Sequence, residues 1–141
     1  MKDSLKPGLT HQFKYDVPEN KTVPYLYPEA AEFQQMPRVL ATGFMVGLFE
    51  WTCIQAVNPH LDWPREQTVG TRLELSHTAP TPPGCPVTVD VELTGVEGRR
   101  LRFRVSARDD AAEICSGSHE RVVIDAERFN ARLADRQSRR G

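Results

Sequence analysis

Apolar residues dominate one stretch of the chain, from Val39 to Phe49, and continue past a single carboxylate, Glu50, as far as Val57. A helix that is apolar on nearly all sides is typical of a buried core helix. We therefore predict a central helix with Thr42 as its N-cap, ending before Asn58-Pro59, because proline disfavours helical backbone at the preceding residue. Its lone acid is either an ion-paired core residue or part of a functional site.

Five other stretches alternate apolar and polar residues with a period of two, which predicts five β-strands. One strand precedes the helix and four follow it, with turns at Pro80, Glu97-Gly98 and Asp109-Asp110 between the last four. The predicted strands cover about 9–17, 69–78, 87–94, 101–107 and 113–124. In the last of them the alternation is less regular, and Gly117 is predicted to form a bulge.

The second predicted strand carries a histidine that is a candidate for chemistry. Period-two counting places one set of residues on a shared face: Val69, Thr71, Leu73, Leu75 and His77. Because this face is mostly apolar, it is predicted to point towards the central helix and to bring His77 with it.

Two segments flank these elements. Residues 22–37 are rich in proline and aromatic side chains and include Phe33 and Met36, so they form either a lid over a pocket or a plug in the core. Glu127 to Ala134 predicts a short amphipathic helix. The polar, basic tail from about 135 to 141 is predicted to fray.

These elements predict one α+β domain spanning residues 1–141. Each strand has one apolar face, and only one long helix is available to cover them all. A curved antiparallel sheet wrapped around the helix, the hotdog fold, satisfies this requirement. Such a sheet leaves open edges and a partly uncovered helix, so we expect a homodimer.

Composition narrows the class of protein further. The net charge of −1 shows no basic excess, so neither a nucleic-acid nor a membrane partner is expected. The apolar run before Glu50 is well short of the ~20 residues that a membrane span requires. No apolar leader opens the chain, and three widely spaced cysteines suit reduced thiols. We therefore expect a cytoplasmic protein.

Three residues are candidates for catalysis, and each has an alternative structural interpretation. His77 is either a proton shuttle working near pH 7 or a core histidine bonded to a backbone carbonyl. Glu50 is either a reactive carboxylate or half of a structural ion pair, and His77 could be its partner. Thr42 is either a nucleophile, or a group holding water, or simply the helix cap.

Helix geometry constrains how these candidates combine. Eight residues at 1.5 Å per residue separate Thr42 from Glu50 by ~12 Å on one continuous helix. A shared site would need a bend between them or contributions from two subunits, and the second option fits the expected dimer.

Other chemistries have weaker support in the sequence. Cys53 lies near Glu50, so a Cys–His nucleophile is conceivable, although small buried thiols are common. His11, His60 and His119 have no partners at metal-ligand spacing, so no metal site is predicted. No phosphate-binding loop, dinucleotide fingerprint or Gly-x-Ser-x-Gly motif occurs.

An ordered set of motifs resembles the fluoroacetyl-CoA thioesterase family of hotdog enzymes over nearly the whole chain. The motifs are Lys21-Thr-Val23, Leu26-Tyr-Pro-Glu29, Thr42-Gly-Phe-Met-Val-Gly-Leu48 with Glu50-Trp51, Val96-Glu-Gly-Arg-Arg-Leu101 and Gly117-x-His-Glu-Arg121. The resemblance implies a dimeric enzyme that hydrolyses small acyl-CoA thioesters. CoA then enters as part of the substrate, and no separate cofactor is expected.

The resemblance also implies roles for individual residues. Thr42, Glu50 and His77 match the catalytic threonine, glutamate and histidine, and Gly70 matches a glycine that helps to bind the acyl carbonyl. Phe33 matches one aromatic residue of a substrate lid, whereas Met36 stands where a second phenylalanine is expected. This departure concerns selectivity for fluoroacetyl over other acyl groups rather than thioester hydrolysis itself.

Two rival functions stand beside this one. A non-catalytic module that binds acyl-CoA or a small metabolite would retain the same three residues. A hotdog hydratase would instead use an Asp and a His on a loop-and-helix element, which the sequence does not show.

Overall fold

A computed structural model describes all residues from Met1 to Gly141. Five antiparallel strands form one sheet in the order β1-β3-β4-β5-β2, and three α-helices accompany it. The strands are β1 Thr10–Asp16, β2 Glu66–His77, β3 Pro86–Glu97, β4 Arg100–Arg108 and β5 Glu113–Asp125. The helices are α1 Ala31–Gln34, α2 Thr42–Val57 and α3 Ala126–Arg139. This arrangement confirms the predicted hotdog fold of the α+β class.

Helix α2 lies against one face of the sheet and contributes Met45, Phe49 and Cys53 to the core, all fully buried. Side chains of β3 and β4, such as Leu93 and Phe103, fill the same core. Trp51 on this helix packs edge-on against Phe13 of β1, with ring centroids 4.7 Å apart, yet remains 47% accessible. None of the helices has the length and apolar composition needed to cross a membrane.

Strand β2 contains a bulge that the period-two pattern does not reveal. The register of β2 against β5 shifts between Gly70 and Arg72, which leaves Thr71 as an extra residue. Thr68 and Gly70 therefore share the inner face with Leu73, Leu75 and His77. The predicted inward positions of Val69 and Thr71 are wrong, because each residue added by a bulge reverses the alternation before it.

Strand β5 has no bulge at Gly117, so that prediction is also wrong. Gly117 pairs in regular register with Leu75 on β2 and Val105 on β4. A Cβ atom at this position would collide with the backbone carbonyl of Glu74. The glycine is required by this close approach of two strands rather than by a local kink.

The final helix is longer than the sequence predicts. Asp125 caps α3 by accepting a hydrogen bond from the Arg128 amide at 3.1 Å. The helix then continues to Arg139 and is supported near its end by an Asp135–Arg139 ion pair of 3.2 Å. The predicted helix is confirmed, but most of the predicted frayed tail is helical.

The segment 22–37 lies beside the beginning of α2. Its backbone is joined to the residues before the helix by a bridge between Thr22 and Leu40 and by the Val23 amide, which donates to the Val39 carbonyl at 3.1 Å. Phe33 stacks on Tyr27 with ring centroids 5.9 Å apart. No residue of α1 is buried, so the alternative of a core plug is wrong for this part of the segment.

Candidate active site

Thr42 and His77 meet where α2 begins and β2 ends. The Thr42 hydroxyl oxygen lies 2.8 Å from Nδ1 of His77, within hydrogen-bond distance. Ala41 rather than Thr42 is the N-cap residue, and Thr42 occupies the first helical position, so its predicted role as the cap is wrong. The threonine hydroxyl is committed to the histidine instead.

The other ring nitrogen of His77 is available for chemistry. Nε2 is buried and has no hydrogen-bond partner within the chain. Burial lowers the pKa of His77 from its ordinary value, because the charged ring loses hydration. The neutral form of the imidazole is therefore favoured, with Nδ1 bonded to Thr42 and Nε2 enclosed without a partner in the single chain.

Glu50 pairs with Arg121 rather than with His77, which corrects the predicted partnership. Nη1 of Arg121 donates to Oε2 of Glu50 at 2.9 Å. The arginine side chain is 3% exposed, whereas the glutamate side chain is 40% exposed. The ion pair thus joins a buried cation to a carboxylate that still reaches an open surface.

The Arg121 guanidinium is fixed on several sides. Its Nε donates to the Thr68 hydroxyl and its Nη2 to the Thr68 carbonyl, both at 2.8 Å. Nη1 also lies 3.1 Å from Nε2 of His119. Because the guanidinium is planar and held at three nitrogens, it sets the position of Glu50 in turn.

Gly70 is the neighbour of this carboxylate on β2. A Cβ atom at Gly70 would lie 2.9 Å from Oε2 of Glu50 and 3.3 Å from Cε1 of His119. An open depression of about 280 Å³ lies beside Gly70 and is lined by Val46, Glu50, Gly70, Thr71, Arg72, Leu73 and His119.

The structure therefore places the predicted residues in two groups within one chain. Thr42 and His77 form one group, while Glu50 and Gly70 belong to the other, together with Arg121. Helix α2 is continuous from Thr42 to Val57, so the ~12 Å rise between Thr42 and Glu50 is not shortened by a bend. Along β2, seven residues separate Gly70 from His77, about 20 Å of extended chain.

Three residues of the site were not predicted from the sequence: Arg121, His119 and Thr68. A signal was present, because period two along β5 puts His119 and Arg121 on one face with the buried Val123. A buried arginine on this face requires an anion, and Glu50 is the acid that the central helix supplies. Phe33 and Met36, the predicted lid residues, lie outside both groups.

Cys53 is not placed to act as a nucleophile. Burial raises the pKa of its thiol to about 12, and the neighbouring Arg121 only partly opposes this effect. Burial likewise raises the pKa of the Cys115 thiol to about 11. A thiol in either setting carries almost no thiolate near neutral pH.

We expect one rapidly reacting thiol in the native protein. At pH 8 an aromatic disulfide reagent should modify the half-buried Cys85 and leave the buried Cys53 and Cys115 unmodified until the protein is denatured. Absorbance of the released thiolate gives the count. Cys85→Ser should remove the fast phase, and a fast phase that persists in this variant would contradict the prediction.

No group of three histidine, cysteine, aspartate or glutamate side chains is positioned to hold a metal ion. The polar groups of the site are thus a threonine–histidine pair, a carboxylate–guanidinium pair and a second histidine. Such a set is suited to nucleophilic attack and proton transfer at a carbonyl.

Comparison with known proteins points to one family. The family model described as fluoroacetyl-CoA-specific thioesterase matches residues 24–127. The chain is 53% identical over 133 residues to a fluoroacetyl-CoA thioesterase from Streptantibioticus cattleyicolor, an alignment that covers 94% of this chain and 95% of the relative.

Solved structures agree with this finding. A mutant of the fluoroacetyl-CoA-specific thioesterase in complex with fluoroacetate and CoA is 53% identical, with a TM-score of 0.86, covering 89% of this chain and 99% of that chain. A thioesterase superfamily member from Thermus thermophilus is 25% identical, with a TM-score of 0.85, covering 97% and 96% of the two chains.

Proposed function

The chain belongs to the fluoroacetyl-CoA-specific thioesterase family, and we infer that it hydrolyses the thioester of a small acyl-CoA to the free acid and CoA. Within the structure, one observation carries this inference. A carboxylate, Glu50, borders the open depression at Gly70, and a neutral histidine, His77, has a free ring nitrogen and a hydroxyl partner. Family membership and this chemistry favour hydrolysis over a module that only binds acyl-CoA.

Each residue of the site is assigned one step of the hydrolysis. The acyl carbonyl lies in the space at Gly70, where backbone amide groups can donate hydrogen bonds to the developing oxyanion. Glu50 or Thr42 either attacks the carbonyl carbon directly or activates a water molecule that attacks it, so that a C–O bond forms and the C–S bond breaks. Direct attack gives an acyl-enzyme, which a water molecule then hydrolyses to release the free acid and restore the side chain. The departing thiolate takes a proton through His77. One water molecule is consumed in all, and no cofactor is needed.

We propose that the complete site forms in a homodimer. The apolar α2 exposes Trp51, and a side chain at Gly47 would contact nothing within the chain, although glycine inside a helix costs about 1 kcal/mol relative to alanine. A second copy of α2 packed against this face would account for both features. Strand β2 is also an edge of the sheet, open to pairing with another strand.

Pairing of the two β2 edges joins the two groups of residues. If the strands run antiparallel about a two-fold axis near Leu73 and Glu74, Gly70 and His77 are equally distant from that axis. Gly70 then lies opposite His77 of the partner subunit. Glu50 and Gly70 of one subunit would thus complete a site with the other subunit's threonine–histidine pair.

The proposal also covers the location of the protein in the cell and its contacts with CoA. Three free cysteines, none in a disulfide, support a cytoplasmic location. The pantetheine arm of the substrate would lie along the dimer interface, and surface arginine or lysine residues would meet the CoA phosphates. No nucleic-acid or membrane partner forms part of this proposal.

A panel of short acyl-CoAs, including acetyl-CoA and fluoroacetyl-CoA, tests the function. Free CoA is measured by its reaction with a thiol reagent added after the enzyme is quenched. Turnover of at least one acyl-CoA, abolished by His77→Ala in a folded protein, is the expected result. Tight binding with no turnover of any member would show that the chain is a binding module.

We expect Met36 to relax selectivity between acyl groups. The residue is 45% exposed in the segment beside Thr42, and its unbranched thioether side chain adapts to different neighbours more readily than a phenyl ring does. Met36→Phe should therefore raise the ratio of kcat/KM for fluoroacetyl-CoA to that for acetyl-CoA, by a factor of about 3 to 10.

Leu133→Phe, at an α3 residue that is also 45% exposed and lies outside this segment, provides the matched control and should leave the ratio unchanged. An unchanged ratio in Met36→Phe would place selectivity elsewhere in the site.

A further inference from the structure

His119 is a fully enclosed histidine that the proposed mechanism does not use. It lies on β5 two residues before Arg121 and is 2% exposed. Nδ1 lies 2.8 Å from the Arg72 carbonyl oxygen, and Nε2 lies 3.1 Å from Nη1 of Arg121. The Phe103 ring from β4 packs beside its ring with centroids 6.4 Å apart.

The chemistry of these two neighbours fixes the protonation of the ring. A backbone carbonyl only accepts a hydrogen bond, so Nδ1 must carry the proton. A guanidinium only donates, so Nε2 must carry a lone pair. His119 is therefore neutral, in the Nδ1–H form, whenever both contacts exist.

The same nitrogen of Arg121 serves both His119 and Glu50. Nη1 has two hydrogens, of which one points to Oε2 of Glu50 and the other to Nε2 of His119. A proton added at Nε2 would face the guanidinium and force the two cations apart. The Arg121–Glu50 contact would then change, because Nη1 moves with the whole planar group.

We propose that His119 is a positioning residue for catalysis, which holds Arg121, and through it Glu50, in the reactive arrangement only while its ring is neutral. This inference rests on the proposed thioester hydrolysis. The Arg72 carbonyl lies immediately after the extra residue Thr71, so the contact also fixes the β2 bulge beside Gly70. His119 thus contacts both β2 and Arg121, and Arg121 in turn holds Glu50.

The charged groups around His119 determine its response to pH. Arg121 on β5 disfavours protonation, whereas Glu50 on α2 and Glu120 on β5 favour it, and Cys53 on α2 is a neutral thiol. From β2, Arg72 presents its carbonyl, with its side chain 66% exposed, and β4 presents the uncharged Phe103. Burial is the largest influence and lowers the pKa of His119. The ring is neutral at pH 7 and gains a proton only as the pH falls further.

The test compares His119→Gln with His119→Ala in the full-length protein. A glutamine oxygen can accept from Arg121 and cannot be protonated in this range. We expect His119→Ala to lower kcat about tenfold with little change in KM, since one charge-assisted hydrogen bond is lost. His119→Gln should retain most activity at pH 8 and show a shallower loss of kcat/KM towards pH 5, because one protonation has been removed.

His60→Gln is the matched control, since His60 is a half-buried histidine that lies outside the site and is hydrogen-bonded to the Ser4 hydroxyl at 2.8 Å. A pH profile of active His119→Gln that matches the wild type would overturn the proposal. Long-range proton–nitrogen NMR correlations of the wild type give the ring tautomer without any turnover. An Nε2–H signal for His119 would also overturn it. Failure of the wild type to hydrolyse any acyl-CoA would instead overturn the proposed function.

Discussion

Replacing Glu50 by glutamine is expected to lower kcat/KM by at least about 10³-fold. The glutamine keeps the shape of the side chain and can still accept a hydrogen bond from Arg121. It loses the negative charge needed to attack a thioester carbonyl or to activate water. Steady-state hydrolysis of the best acyl-CoA substrate and the thermal unfolding midpoint should be measured together.

Glu92→Gln is the control for this change. Glu92 lies on β3 and pairs with Arg104 at 2.8 Å, and its side chain is 41% exposed, close to the 40% of Glu50. Such a surface pair contributes little to stability, so activity and unfolding midpoint should stay near those of the wild type. Wild-type activity in Glu50→Gln would remove the carboxylate from the mechanism.

The same variant can show whether the site spans two subunits. Inactive Glu50→Gln is mixed with inactive His77→Ala, and the subunits are allowed to exchange. If the site is shared between two subunits, each heterodimer has one site that carries both mutations and one site that carries neither. Random exchange in equal amounts should restore about a quarter of the wild-type activity. No recovery, with heterodimers demonstrated by native mass spectrometry, would place the complete site within one chain.

The fold was predictable because its strongest signals are local. The apolar stretch predicts a buried helix, and each period-two stretch predicts a strand with one buried face. A sheet around one helix is the arrangement that buries all of these apolar surfaces. The β2 bulge at Thr71 was not predictable in this way. Its extra residue changes which side chains face the helix, and period-two counting cannot detect it without the partner strand.

The candidate site was predictable only in part, for a related reason. Glu50 stood out as an acid in an apolar helix, but its partner depends on which strand lies opposite. Arg121 on β5 reaches it through the inner face beside Gly70, whereas His77 is carried about 20 Å away along β2. Alternation identifies a face of a strand but not the position along it at which the helix crosses.

Gly70→Ala provides the second large expected effect. The added Cβ atom would lie 2.9 Å from Oε2 of Glu50 and 3.3 Å from Cε1 of His119, closer than side-chain carbons normally approach. The glutamate end can move, but only by giving up its geometry with Arg121. We therefore expect kcat/KM to fall about 10²-fold, because displacement of a reactive group by about 1 Å has an effect of this order.

Stability should change much less than activity in this variant, since Gly70 is not part of the hydrophobic core and the atom nearest its added Cβ is the end of the Glu50 side chain. Gly95→Ala is the matched control, because Gly95 also lies within a strand and beside a register shift, yet its added Cβ would meet Arg102 carbons only at an ordinary 3.8 Å. It should keep wild-type activity. Hydrolysis at the wild-type rate by folded Gly70→Ala would show that the acyl group does not react in the space at Gly70. Glu50 would then have its role away from that space.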